Sequence, residues 1–144
     1  MSASTRANIG LFLARIPLGL LFLFAGYMKI AKIGVGNFVS SASKNVPAWL
    51  PHELGSIYLH ALPFVEFAVG LFVIVGFFTR TSAFIMSLIL ISILIATGVK
   101  TDQGPFSTNF IFLGLSLLLM LMGGGDATVD RIIQRKKSKS SSPA

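Results

Sequence analysis

Apolar residues along this chain come in long continuous runs without strict alternation. Four runs, residues 9–30, 57–78, 82–99 and 106–122, are each close to the roughly 20 residues an α-helix needs to cross a hydrocarbon core of about 30 Å. Backbone polar groups in lipid must be satisfied within the segment, which a helix does alone and a strand does only in a closed barrel. Barrel strands would read as alternating segments of about ten residues, and these runs do not alternate. The pattern predicts an all-α bundle of four transmembrane helices.

The polar punctuation between the runs supplies the connections. Residues 79–81 and 100–105 are too few for anything but tight turns, so the second and third helices, and the third and fourth, form antiparallel hairpins. Residues 31–56 are different. They carry Gly34, Gly36, the serines Ser40, Ser41 and Ser43, and the sequence Val46-Pro47-Ala48-Trp49-Leu50-Pro51. Trp49 suits an anchor at headgroup level, and this long outward loop is expected to lie along one face as a partly helical cap. Gly123-Gly124-Gly125 ends the fourth run, and Asp126 is placed to cap a short surface helix over residues 127–136. Residues 138–144 are small and polar and are expected to be disordered. The chain therefore divides into a membrane domain, residues 1–130, and a basic tail, residues 131–144.

Composition agrees with the pattern. Hydrophobic residues make up 53% of the 144 and charged residues 12%, against about 25% charged in soluble domains. The net charge of +7 does not point to nucleic acid, because Arg131, Arg135, Lys136, Lys137 and Lys139 stand together after an apolar span, where anionic lipid headgroups are the expected partner. Outside the spans, Arg6, Arg80 and the five tail residues fall on one side and Lys32, Lys44 and Lys100 on the other. This asymmetry places both termini in the cytoplasm of a multi-pass protein of the cell membrane. Arg15 interrupts what would be the apolar core of a signal peptide, so the first run is read as a retained helix. There is no cysteine, which removes disulfides, thiolate metal sites and thiol nucleophiles from this chain.

Charged residues inside a span are costly and mark a site by default. Here they are Arg15, Lys29 and Glu66. Arg15, Gly19, Phe22, Gly26 and Lys29 share one helical stripe, where the glycines permit close packing between two cations. Glu66 is expected to pair with Lys29 or with Arg15. One reading is an ion pair that locks the first helix to the second. The other is a polar pocket built from Arg15, Lys29, His60, Glu66 and Asn109, for a membrane-soluble ligand or a proton relay. His60 precedes Pro63, whose missing donor opens the local ladder, and Asn109 can bond across helices or to a ligand carbonyl. Haem between His52 and His60 would need an improbable geometry, and the residues offer no metal site. Phe64, Phe67, Phe72, Phe77 and Phe78 could flank a quinone ring, but also suit lipid contact or packing.

Taken in order, Arg15-x-x-x-Gly19, Gly26-x-x-Lys29, Pro63-x-x-Glu66-x-x-x-Gly70, Gly76-x-x-x-Arg80, Asn109 and Gly123-Gly124-Gly125 with Asp130 resemble the landmarks of the DoxX family of four-helix membrane proteins. The likeness covers roughly residues 9–130. Where the family pattern has Gly-Pro-Gly, this chain has three glycines. Arg15, Lys29, Glu66, Arg80 and Asn109 match the family's recurrent polar positions. The resemblance implies quinone-linked membrane redox, since the family is named from subunits associated with a terminal quinol oxidase and a thiosulfate:quinone oxidoreductase. The leading expectation is a membrane subunit or anchor of such an oxidoreductase, whose protein partner carries the redox centre. This chain itself is expected to bind no cofactor other than quinone. A small-solute or proton carrier acting as a homo-oligomer, and a non-catalytic scaffold, are the rivals.

Overall fold

The computed structural model describes residues 3–97, 108–125 and 128. Helix α1, Ala3–Tyr27, runs without interruption into a π-helical turn, Met28–Ile33. Gly34, with φ 82° and ψ 136°, then breaks the direction of the chain, in a region of backbone space that a side chain would make costly. The short helix α2, Val35–Ala42, and a 3₁₀ turn, Ser43–Asn45, follow. The membrane-length helices α3, His52–Val75, and α4, Thr79–Thr97, come next, and α5, Thr108–Met122, closes the order.

The ends of α3 differ from those read off hydropathy because apolarity marks where a helix enters lipid and not where it begins. The helix opens at His52, just after Pro51, with Glu53 in its first turn, where a carboxylate favours the exposed N–H groups. It ends at Val75 because Gly76 takes the left-handed conformation and donates its N–H to Phe72 O at 2.9 Å. Residues 31–56, expected as a partly helical cap, are helical for most of their length. Only residues 46–51 join α2 and its 3₁₀ turn to α3 without regular helix.

α1 packs against α3, α3 against α4, α4 against α5 and α5 back against α1, which closes a four-helix ring. Leu18, Phe22, Val69, Val73, Met86, Leu90 and Leu119 fill it. Polarity across the ring is inverted relative to a soluble bundle. Arg15, Glu66, Thr79, Ser82, Ser87 and Ser116 are buried, while Leu13, Phe24, Ile57, Leu88, Ile111 and Leu121 are exposed. Ser87 Oγ and Ser116 Oγ lie 2.8 Å apart between α4 and α5, a polar contact that an apolar solvent favours. Phe64, Phe67, Phe72 and Phe78 also face outward, the arrangement suited to lipid contact.

Among the described residues three helices are long and apolar enough to cross a membrane, Ser4–Ile33, His52–Val75 and Thr79–Ala96. α5 is apolar but shorter, and its 15 residues extend about 22 Å. The turn expected at residues 100–105 and the start of the fourth run lie outside the described residues. So do the surface helix expected over residues 127–136, apart from Thr128, and the basic tail, residues 131–144.

Candidate functional site

The site begins with a contact between backbones. A Cβ on Gly26 would lie 2.6 Å from Phe67 N and 2.6 Å from Pro63 O, and one on Gly19 would lie 3.1 Å from Gly70 O. α1 and α3 therefore touch main chain to main chain through the turn of α3 that carries Glu66. One helical turn beyond Gly26 is Lys29, in the first part of the π-helical turn, a distortion frequent at functional positions. From there its Nζ donates to Glu66 Oε1 at 2.7 Å and to Oε2 at 2.5 Å. The carboxylate side chain is 2% exposed and the lysine side chain 18%, so the pair is closed below and open on the lysine side.

What lies on that side is the cap. α2 places the Phe38 ring under the Lys29 ammonium, 5.0 Å from Nζ to the ring centroid, a cation–π contact that ties cap to ion pair. Between the cap, the N-terminal half of α3 and the C-terminal half of α4 is a cavity of about 350 Å³. Lys29 and Phe38 line it together. Val46, Pro47, Trp49 and Leu50 supply the cap side, Tyr58, Leu59 and Leu62 come from α3, and Ser92, Ile93 and Ile95 from α4. Tyr58 Oη and Ser92 Oγ are in hydrogen-bond contact across the α3–α4 seam, and Ser92 Oγ also donates to Ile89 O at 2.7 Å. The result is a mostly apolar chamber, within the size range of about 300–1,000 Å³ usual for small-molecule sites. A cation and a hydroxyl pair stand in its wall.

The residues expected to form one pocket are thus divided. Lys29 and Glu66 come together. Arg15 stands fourteen residues before Lys29, about 21 Å along the helix, and so is out of reach of Glu66. It is buried beside Gly76 and Gly124 at the other end of the bundle, with its guanidinium 5.2 Å from the Phe12 ring centroid. His60 is exposed on α3, its Nδ1 2.8 Å from Ser56 O of its own helix. Asn109 is half-buried in the first turn of α5 and does not line the cavity. Among the described residues no three His, Asp or Glu side chains meet as a metal site would require.

Sequence reasoning passed over Phe38, Tyr58 and Ser92. Ser92 carried a signal, being the one polar side chain between Ser87 and Thr97. Tyr58 and Phe38 carried none, because their role depends on how the cap docks.

A family model described as DoxX matches residues 10–99. The chain is similar to the inner membrane protein YqjF of Escherichia coli (strain K12), with 29% identity over 135 residues that cover 90% of this chain and 95% of the relative. No solved structure matches it.

Proposed function

The chain belongs to the DoxX family and is an integral membrane protein, and from that premise we propose that it is the membrane subunit of a quinone-linked oxidoreductase. In this reading it binds quinone in the cavity above the Lys29–Glu66 pair, and a protein partner carries the redox centre. The observation that carries the reading is the chamber itself. Its walls are mostly apolar, it lies against the N-terminal half of α3 and the C-terminal half of α4, and its one charged wall residue is an ammonium group. An ammonium has three donors. Two of them point at Glu66 and the third is available to a ligand carbonyl. Tyr58 and Trp49 offer aromatic faces to a planar ring.

We further propose that α5 and the residues before it complete a fourth span, that both termini face the cytoplasm, and that the tail lies on anionic lipid. The largely apolar stretch of residues 110–122 and the distribution of Lys and Arg support these points.

Trp49 is the one tryptophan of the chain and lines the cavity, so it is a built-in reporter. Titrating the full chain in detergent with duroquinone should quench Trp49 fluorescence saturably. Lys29→Met should weaken the midpoint by roughly tenfold, the order expected for a lost hydrogen bond to a charged group. Linear, unsaturable quenching that Lys29→Met leaves unchanged would remove quinone from this cavity.

A further inference from the structure

The polar groups of the cavity are not interchangeable, and counting their hydrogens shows why. Ser92 has a single hydroxyl hydrogen, and its Oγ donates to Ile89 O at 2.7 Å. Tyr58 Oη is also bonded to Ser92 Oγ. Only one arrangement of the two hydroxyl hydrogens makes both contacts, in which Tyr58 donates to Ser92 and Ser92 to the backbone. The proton of Tyr58 is then already used, and its oxygen can only accept. In the same chamber Lys29 can only donate. The cavity therefore presents both a fixed donor and a fixed acceptor in its wall.

From this polarity we infer that Tyr58 and Ser92 set the redox-state preference of the site, so that it holds the reduced, hydroquinone form of its ligand more tightly than the quinone. The inference rests on the quinone reading above. A hydroquinone brings a hydroxyl donor to Tyr58 and a second oxygen that accepts from Lys29, and both wall groups are satisfied. A quinone carries two acceptors. It meets Lys29 well, but turns a carbonyl lone pair toward a tyrosine oxygen that has nothing to give, and a polar contact left unmade in an apolar chamber is penalised. One hydrogen bond of ordinary strength corresponds to a roughly fivefold difference in affinity. Ser92 is a positioning residue in this account. It fixes the direction of the Tyr58 hydroxyl, and removing it returns the proton to Tyr58.

The test compares dissociation constants of duroquinone and of durohydroquinone, the latter held reduced without oxygen, from the saturation midpoint of the Trp49 signal on the full chain in detergent. The parent protein should bind the hydroquinone roughly fivefold more tightly, and Tyr58→Phe should bring the two constants close to parity by losing hydroquinone affinity. Ser92→Ala should also bring them together, but by a gain of quinone affinity, because the freed tyrosine proton can now serve a carbonyl. A gain of binding cannot arise from a damaged fold. Equal constants in the parent protein, or a Ser92→Ala variant whose preference is unchanged, would overturn the inference and leave the quinone site standing. Saturable binding of neither form would overturn both.

Discussion

Both carboxylate oxygens of Glu66 are taken by the Lys29 ammonium at 2.7 and 2.5 Å, so the pair behaves as a unit and its members should be mutually dependent. Removing one charge leaves the other in a setting that cannot solvate it, a loss of about 3 kcal/mol or more when a buried pair is broken. Replacing both leaves little more than a packing change. Glu66→Gln should accordingly lower the thermal midpoint of the protein in detergent, and Glu66→Gln with Lys29→Met should recover most of that loss. Glu66→Gln with Arg15→Met should recover none, because Arg15 is packed beside Gly76 and Gly124 at the other end of the bundle. Rescue by Arg15→Met, or additivity of the Lys29 and Glu66 changes, would show that the pair is not a unit. The sequence already indicated that Glu66 needed a cation and offered two. It did not decide between them because the choice depends on the level at which α1 and α3 touch, and that level is set by the approach of Gly26 to Pro63 and Phe67.

That approach is a property of whole helices. Between transmembrane helices there is no hydrophobic driving force, and close backbone contact through small residues stands in its place. Gly26→Ala would put a methyl 2.6 Å from two backbone atoms of α3, and neither can yield without moving the helix. Overpacking of this kind costs about 1–3 kcal/mol. The expected outcome is a lower thermal midpoint together with weaker ligand binding, since the same contact delivers Lys29 to Glu66. By contrast Gly114→Ala, where an added Cβ meets nothing within 4 Å, should leave both unchanged. If Gly26→Ala were as stable as the parent, α1 and α3 would not be joined at this point. Apolar runs and glycines announced the helices and their close packing well before any coordinates. The π-helical turn at Met28–Ile33 had no such signature, because Met-Lys-Ile-Ala-Lys-Ile reads equally well as ordinary helix. The start of α3 was displaced for the opposite reason: residues 52–56 are polar enough to leave the apolar run while still being helical.

At the scale of the molecule, the cap adds a chamber to the bundle. Leu18, Val73, Met86 and Leu119 are fully buried between the four helices, and the chamber is formed where residues 35–50 fold back over the N-terminal half of α3 and the C-terminal half of α4. This explains why the charged residues of the site were readable from sequence and its walls were not. A charge inside an apolar run stands out anywhere, whereas Phe38, Tyr58 and Ser92 become neighbours only when the cap is docked. It also separates the two ends of the bundle: Arg15 and the glycines near the end of α5 belong to one, and the Lys29–Glu66 pair and its cavity to the other. The central claim, a quinone site under the cap, is tested most directly by photolabelling the full chain in membranes with an azidoquinone and mapping the modified residues by mass spectrometry. The account predicts labels on the cap, on the first turns of α3 and on the last turns of α4, at residues such as Phe38, Trp49 and Tyr58, suppressed by excess duroquinone and by Lys29→Met. Labels spread over the lipid-facing residues of every helix, or gathered around Arg15, and indifferent to competitor, would contradict it.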